Sequence, residues 1–571
     1  MKESTCWRAA SKNFTAITVT LLILLGAAAR LADLDTHFTH IDDIGVARTF
    51  IFNSTVAKGR GMQLKNLFDK ITIIPHEFTY APLQFFITYF LVSPEQSYRQ
   101  ILFWGRFPSC LFGILGLLSL VIFFRKYDRF KTPAVFIALA LLAFSHENII
   151  YAKQMESYSI GVFAAVWVLI LLISGMRRGN FSLKKLLTAF AGMALLSYMQ
   201  YQVIFLTPAF ALALLAYHLL TDRIHWREII LNLLIAGALY GLLIFPEYHS
   251  FIHFHESFKP PGLNWNAGPS QEFSLQFLPG TPLFTRIAGF VLFFARNLPV
   301  VFGSMISFVP EDSLLFHPVT IFFLALFILG IAGLFKTRRL SKKMLGLFFL
   351  AVAAIWMALV FSRKLAFGPT RHSLILLPFF AVVAAEGWNS LLGILKPFSR
   401  VRSLARFAHI PLIGFILIML GVSFPRFLSE RKDPFDEKEI EQKLSEFNVD
   451  TVIATGWTWN LSLMKNIWEK YSYFEEEFRI APSYRMRPVP FKTIAFISHR
   501  NTLNPGIFES MKYRINLHSL TAGQGGGLWT STPENYRMVY SKEIVSDVEI
   551  DFSKRTQNGT NSFFFYILRK V

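Results

Sequence analysis

The chain has 571 residues, of which 53% are hydrophobic and only 16% carry a charged side chain. Soluble proteins carry about 25% charged residues, so this composition indicates a membrane protein. The formal net charge of +20 does not indicate nucleic-acid binding, because most of the surplus lies in short basic clusters between apolar segments, as the positive-inside rule describes. The two cysteines, Cys6 and Cys110, are far apart, which excludes a disulfide framework and a metal-binding spacing.

Apolar segments of about 20 residues, the length that spans a bilayer, recur along the first three quarters of the chain. The clear ones are 14–33, 107–124, 132–150, 158–175, 185–200, 202–220, 229–246, 317–335, 344–361, 373–393 and 409–427. With these eleven spans, every basic loop falls on the side of the N-terminus, which is the cytoplasm. Two less certain apolar stretches, 81–93 and 287–308, are therefore predicted to lie at the membrane surface or to re-enter it. Counting both as spans gives thirteen but places the loops between them on the wrong side.

From residue 428 the composition becomes that of a soluble domain, with acidic clusters at 436–439 and 475–477. The residue pattern predicts strands at 451–454, 493–497, 545–552 and 562–568, a helix at 459–471, and a hairpin turn at Asn558-Gly559. We therefore expect two domains: a membrane domain at 1–427 and a small α/β domain at 428–571, outside the cytoplasm.

The acidic pair Asp42-Asp43 directly follows the first apolar segment, on the predicted outer face. A carboxylate within hydrogen-bonding distance of a hydroxyl can act as a general base, and a neighbouring carboxylate can orient it or bind a metal. The dipeptide alone is equally typical of a solvated loop or a helix N-cap. Its context therefore has to decide between these interpretations.

Five elements, in order, resemble motifs of the GT-C glycosyltransferases, and within that superfamily the bacterial protein O-mannosyltransferase-like and lipid A aminoarabinose transferase-like enzymes. They are His40-Ile41-Asp42-Asp43, Tyr80-Ala81-Pro82-Leu83, Gly105-Arg106-Phe107-Pro108-Ser109, Tyr151 to Tyr158, and Gly368 to Pro378. In the first, Ile41 stands where the family usually has Pro, and Asp43 where Glu is more common. The eleven-span topology with an external C-terminus agrees with this family.

The resemblance implies an all-α polytopic membrane protein of the GT-C type that transfers a sugar from a polyprenyl phosphate carrier. The acceptor hydroxyl, on a protein, on lipid A or on an envelope glycan, attacks on the outer face with inversion. Asp42 is then the catalytic base, and Asp43 supports it or binds a metal. The implied partners are the lipid-linked sugar, membrane lipid and the acceptor, with no nucleic acid. The sugar, hexose or pentose, is not specified. We expect a bacterial inner-membrane protein with a periplasmic C-terminal domain.

Cations must stabilise the charge that develops on the leaving carrier phosphate. Lys153 and Arg371 are the first candidates, because both lie in matched elements at membrane boundaries, and Arg106 and His372 are further candidates. The alternative for Lys153 and Arg371 is snorkelling of the side chain to the membrane surface. For Arg106, the alternative is bracing of its helix.

The candidate substrate-binding residues come from the matched elements and the predicted outer loops. They are His40, His76, Tyr80, Tyr151, Glu156, Tyr158 and Trp265. Trp265 could stack on a sugar ring, although an interfacial aromatic anchor is the favoured interpretation. No cofactor is certain: Asp43 and Glu156 are candidate ligands of a divalent metal, but no ligand spacing supports one.

A transporter or lipid flippase is the main alternative, since charges within a membrane line translocation paths. Against it, the predicted spans contain few ionisable residues in their middles, and broken helices in paired halves are not evident. A membrane scaffold that acts through the tail is a third hypothesis. A transferase requires that Asp42, Glu156, Lys153 and Arg371 converge on one outer cavity, whereas separate surfaces for Asp42 and Lys153 would exclude it.

Overall fold

The computed structural model describes the greater part of the helical region and the framework of the C-terminal sheet. The described residues are 5–36, 82–93, 96–127, 134–176, 182–221, 226–257, 282–306, 316–337, 339–362, 371–395, 414, 437–455, 472–475, 492–498, 536–546 and 561–570.

Helices dominate the described chain. They are α1 (Thr5–Leu31), α2 (Pro82–Leu91), α3 (Tyr98–Tyr127), α4 (Ala134–Phe144), α5 (His146–Ala152), α6 (Tyr158–Met176), α7 (Leu183–Met199), α8 (Val203–Thr221), α9 (Trp226–Ser257), α10 (Leu283–Ile306), α11 (Phe316–Lys336), α12 (Leu340–Phe361), a 3₁₀ helix (Arg371–Leu376), α13 (Leu377–Leu395) and α14 (Glu437–Glu446).

Seven helical segments of the described chain are long and apolar enough to cross a membrane, and the pair α4 and α5 adds an eighth as one span bent by 53°. The seven lie in α3, α8, α9, α10, α11, α12 and in the 3₁₀ helix with α13. Shorter apolar stretches occupy α1 and α6. The protein is therefore a multi-pass membrane protein. The predicted span at 409–427 lies outside the described residues, apart from residue 414.

The two stretches that the sequence left uncertain differ in length. Helix α2 has ten residues, which at 1.5 Å per residue gives about 15 Å, half the thickness of the hydrocarbon core. This described length is too short for a single pass, while residue 81 of the predicted stretch lies outside the described residues. Helix α10, by contrast, has the length and apolarity of a span, which the charge argument for residues 287–308 did not predict.

Helix α4 lies at the centre of the helical core. All eleven of its residues are buried, and it packs against α1 on one side and α13 on another. Its sequence, AVFIALALLAF, is apolar on every face, which is typical of a helix surrounded by protein. The broken span formed by α4 and α5 is thus held in the middle of the bundle.

Helices α11 and α13 pack with their backbones in direct contact. A Cβ atom added to Gly387 would lie 1.7 Å from the carbonyl oxygen of Leu326, and one added to Gly330 would lie 2.0 Å from that of Val383. Small residues at a helix interface allow this approach in membranes, where van der Waals packing rather than water exclusion drives association.

The C-terminal region contains a five-stranded mixed sheet. Its strands are β1 (Thr451–Thr455), β2 (Ser472–Glu475), β3 (Thr493–Ser498), β4 (Tyr536–Ser546) and β5 (Asn561–Lys570), in the order β2-β1-β3-β5-β4. Strand β1 is parallel to β2 and β3, whereas β5 is antiparallel to β3 and β4. The predicted fold class, an all-α polytopic membrane protein with a small C-terminal α/β domain, is confirmed.

Three of the predicted strands coincide with β1, β3 and β5. The strand predicted at 545–552 overlaps the last two residues of β4, 545 and 546, and its remaining residues lie outside the described residues. Strand β4 begins earlier, at Tyr536, and its Tyr540 packs between Phe447 and Phe565, with ring centroids 5.5 and 5.4 Å away. The helix predicted at 459–471 and the turn at Asn558-Gly559 lie outside the described residues.

The chain divides into two compact units. One comprises Met1–Ala32, Leu64–Ile87 and Arg106–Leu428, and the other comprises Asp33–Gln63, Thr88–Gly105 and Ser429–Val571. The assignment of 1–427 and 428–571 as separate domains stays a prediction.

Candidate functional site

A buried polar loop separates α5 from α6. It runs from Lys153 to Ser157, and every one of its residues is buried, with Lys153 1% and Glu156 2% exposed. Helix α5 ends immediately before it, where the backbone N–H of Lys153 donates to the carbonyl of Ile150 at 2.9 Å. Charged side chains buried within a membrane protein are costly and mark functional sites, so this loop is the first candidate.

Helices α2 and α3 approach the loop with polar side chains of their own. The Nε2 of Gln84 donates to the Oγ of Ser109 at 2.9 Å, and that hydroxyl donates to the backbone carbonyl of Glu156 at 2.6 Å. Arg106, fully buried, precedes Ser109 by three residues on α3, so both point to the same helix face. Arg106 thus lies on the face of α3 that holds the loop.

Gln200 fixes the other end of the loop. The Oγ of Ser157 donates to its Oε1 at 3.1 Å, and Gln200 is 4% exposed at the C-terminal end of α7. The loop is therefore tied on one side to α3 and on the other to the junction of α7 and α8.

The 3₁₀ helix that begins at Arg371 packs against α5 and α6. Its later residues are buried, with Ser373 0% and Leu374 1% exposed. The backbone of Arg371 and His372 therefore lies at the start of an element that flanks the loop, although their side chains are not described.

Two tyrosines border the loop. Tyr151 at the end of α5 and Tyr158 at the start of α6 have ring centroids 5.6 Å apart at an angle of 60°. Tyr151 is buried, and Tyr158 is partly exposed. Their phenol rings form an aromatic border beside the charged residues.

Four of the sequence-predicted site residues, namely Tyr151, Lys153, Glu156 and Tyr158, lie in or beside the loop, and Arg106 lies on the face of α3 that holds it. Asp42, Asp43, His40, His76, Tyr80 and Trp265 lie outside the described residues, so their assigned roles remain predictions. Within the described part of the chain, no group of three or more His, Cys, Asp or Glu residues could hold a metal ion.

Sequence reasoning missed Gln84, Gln200 and Arg30. The two amides carried no signal, because a Gln at the end of an apolar segment is common. Arg30 carried one: it is a charged residue within an apolar run, where an ionisable residue suggests function. It is fully buried, and a Cβ atom added to Gly113 would meet both the Nε of Arg30 at 3.1 Å and the Oγ of Ser159 at 2.7 Å, so Arg30 lies near the start of α6, just after the loop.

Lys153 and Arg106 are two buried cations against one buried carboxylate, Glu156, so the region carries a net positive charge and is suited to bind an anion. Lys153 offers a compact charge, while Arg106 offers a planar fork of donors that matches a phosphate. Ser109, Ser157 and Gln200 hold the loop through hydrogen bonds, whereas Lys153, Arg106 and Glu156 give the region its charge.

The described helices and the small mixed sheet form a polytopic membrane fold of the GT-C type. The chain is similar to ArnT from Cupriavidus metallidurans in the apo state, with 13% identity, coverage of 88% of this chain and 95% of that chain, and a TM-score of 0.51. The resemblance to the GT-C superfamily that the motifs indicate is confirmed at the level of the fold.

Two further solved structures resemble the chain less well. ArnT from Cupriavidus metallidurans bound to undecaprenyl phosphate has 12% identity over 97% of this chain and 98% of that chain, with a TM-score of 0.49. The Archaeoglobus fulgidus oligosaccharyltransferase in the apo form has 12% identity over 87% and 71%, with a TM-score of 0.46. The sequence matches no protein-family model and no curated protein.

Proposed function

We propose that the protein is a glycosyltransferase that moves a sugar from a polyprenyl phosphate carrier to an acceptor hydroxyl. The observation that carries this proposal is the buried loop Lys153–Ser157, which holds charge inside a membrane protein of the GT-C fold. ArnT, which shares this fold, has been crystallised with undecaprenyl phosphate. A phosphate on a lipid carrier is the ligand that this position and this charge suit.

The cations would stabilise the charge that grows on the carrier phosphate as the sugar leaves. At a buried site, the attraction between two charges a few ångströms apart is several-fold stronger than in water. Lys153 and Arg106 are the described residues for this role, and Arg371 and His372 are assigned to it from the sequence. Because these groups are held in place before reaction, they stabilise the transition state without reorganisation.

The transfer is a displacement that inverts the configuration of the anomeric carbon. The acceptor oxygen forms a bond to the anomeric carbon while the bond from that carbon to the phosphate oxygen breaks, and the carrier phosphate leaves with the electron pair. The acceptor proton passes to a base, which we assign to Asp42 with support from Asp43. Phosphate is a weakly basic leaving group, so the reaction needs no strong acid.

We propose further that the sugar is a hexose or a pentose. The acceptor hydroxyl is then on a protein, on lipid A or on an envelope glycan. The protein would lie in a bacterial inner membrane, with the sheet-containing tail in the periplasm. Tyr151 and Tyr158 would border the sugar, with His40, His76, Tyr80 and Trp265 as further contacts. A metal would be held by Asp43 and Glu156, and the activity that remains after EDTA treatment tests this role.

The test uses the full-length protein in lipid nanodiscs with a panel of hexosyl and pentosyl polyprenyl phosphates. Asp42→Asn keeps the size of the side chain but removes the base, so kcat should fall by about 10²–10⁴ while binding of polyprenyl phosphate persists. Asp43→Asn is the matched control and should lower kcat less. Full activity of Asp42→Asn would reject this base. No binding of polyprenyl phosphate by the wild-type protein would reject the function.

A transporter or flippase is the second candidate, favoured by one observation. The span formed by α4 and α5 is broken with a bend of 53°, and broken helices form the substrate sites of many transporters. Proteoliposomes distinguish the two functions, because a flippase moves the labelled polyprenyl phosphate sugar across the bilayer and leaves its sugar bond intact. Release of free polyprenyl phosphate with an acceptor present supports the transferase.

A further inference from the structure

Arg30, in the last turn of α1, is fully buried and reaches across to another helix. Its Nη1 donates to the carbonyl oxygens of Gly26 and Ala143, both at 2.8 Å, and its Nη2 donates to that of Leu142 at 3.0 Å. Gly26 belongs to its own helix, whereas Leu142 and Ala143 belong to α4. The guanidinium therefore joins the end of α1 to the end of α4.

Those two carbonyls lack helical partners because the span breaks beside them. In a continuous helix they would accept from the N–H groups of His146 and Glu147, but these residues open α5 after the bend at Ser145. The last carbonyls of a helix need other donors. Arg30 supplies them, and Asn148 adds a second donor to Leu142 at 2.8 Å. A cation also suits the negative end of the α4 dipole.

The bend between α4 and α5 at Ser145, called the corner below, sets the direction of α5 and hence the position of Lys153. Helix α5 has seven residues, so its far end lies about 10 Å from the corner. A rotation of about 10° at the corner would displace that end by roughly 2 Å. A displacement of about 1 Å in an active site can already cost 10²-fold in rate. The corner therefore controls the position of the Lys153 ammonium group, which would meet the carrier phosphate.

We propose that Arg30 is a positioning residue for the carrier-phosphate site: supplied by α1, it caps α4 and so fixes the broken span that presents Lys153. This inference rests on the proposed function of the loop. It assigns Arg30 a role through backbone carbonyls and Lys153, with no contact to the substrate.

Gly113 on α3 provides an independent way to disturb Arg30. A Cβ atom added there would lie 2.7 Å from the Oγ of Ser159 and 3.1 Å from the Nε of Arg30, so Gly113→Ala, made in a Ser159→Ala background that removes the first contact, presses on the guanidinium without altering any charge. Gly116 lies one turn later on α3, and a Cβ atom there would meet its nearest neighbour, the Cα of Phe163, at an ordinary 3.6 Å. Gly116→Ala is therefore the matched control.

The experiment measures the Kd for polyprenyl phosphate in nanodiscs, using the full chain and the variants Arg30→Gln, Arg30→Lys and Lys153→Met. Arg30→Gln should raise Kd about 10-fold, since a misplaced Lys153 loses part of its attraction, and Arg30→Lys should recover part of this loss. The double variant Arg30→Gln/Lys153→Met should bind like Lys153→Met alone, because residues that act through one another are not additive.

Additive effects of Arg30→Gln and Lys153→Met, or an unchanged Kd in Arg30→Gln, would overturn the inference. If Arg30→Gln does not fold, Gly113→Ala in the Ser159→Ala background decides: a raised Kd that Gly116→Ala in the same background does not share supports the inference, and equal Kd values overturn it. A wild-type protein that binds no polyprenyl phosphate would instead reject the proposed function itself. The two failures are thus distinguishable.

Discussion

Individual charges inside the helical unit are compensated in different ways. A buried charge costs several kcal/mol unless other groups satisfy it. Arg30 is satisfied by the backbone carbonyls of a broken helix. Glu386, 2% exposed in α13, forms an ion pair with Lys342 in the first turn of α12. The first arrangement holds a corner beside the candidate site, and the second joins two neighbouring helices.

Loss of Lys342 and loss of Glu386 should lower the stability of the protein by different amounts. Lys342→Met leaves a buried carboxylate alone in α13, which we expect to cost about 2–3 kcal/mol, a little less than for a fully enclosed pair. Glu386→Leu leaves a flexible lysine near a helix end, which can extend to the membrane surface at lower cost. The measurement is the thermal unfolding midpoint in detergent.

The double variant Lys342→Met/Glu386→Leu serves as the control for that prediction. It removes both charges, so its unfolding midpoint should lie above that of Lys342→Met. A midpoint for Lys342→Met equal to that of the wild-type protein would show that the pair contributes nothing to stability.

The ordered family elements singled out Arg106, Lys153 and Glu156 from the sequence, and the structure shows that all three side chains are buried. Their assigned roles stay predictions. Gln84 and Gln200 could not be found, because an amide that bonds a hydroxyl from another helix leaves no local pattern. Their partners are 25 and 43 residues away in sequence.

Helix packing decides which glycines matter. Gly387 on α13 would place a Cβ atom 1.7 Å from a backbone oxygen of α11, whereas Gly393 on the same helix has nothing within 4 Å. Gly387→Ala should therefore lower the free energy of unfolding by more than the roughly 1–3 kcal/mol typical of overpacking, which is measured as a fall in the thermal midpoint. Gly393→Ala should leave it unchanged or raise it, since Ala favours a helix. Equal effects of the two substitutions would contradict this packing.

The elements themselves were largely predictable from apolar length, but their breaks were not. Residues 132–150 form one apolar run, yet the helix bends by 53° at Ser145. The hydroxyl of Ser145 accepts from the N–H of Asn148 to open α5, while Arg30 closes α4 from 113 residues away. A hydropathy pattern indicates the Ser145 cap only weakly, and it does not indicate the contact from Arg30 at all.

At the scale of the whole molecule, the distribution of positive charge predicts orientation. The basic clusters fall between apolar segments so that eleven spans place them on one side, and the tail with α14 and the sheet on the other. Helix α10 is the sensitive element, because it is long enough to cross. One additional crossing would reverse the side of every later loop, including the tail.

Cysteine labelling in intact cells tests this orientation. The background is Cys6→Ser with Cys110 retained, because Cys110 is fully buried. Gln442→Cys, exposed on α14, should react with an impermeant maleimide from outside, whereas Thr337→Cys, between α11 and α12, should react only after the membrane is permeabilised. If α10 crosses as one further span, both results are reversed, since each position then changes sides. If Thr337→Cys is labelled from outside and Gln442→Cys is not, the eleven-span topology is overturned. The assignment of the basic loops to the cytoplasm is then overturned with it.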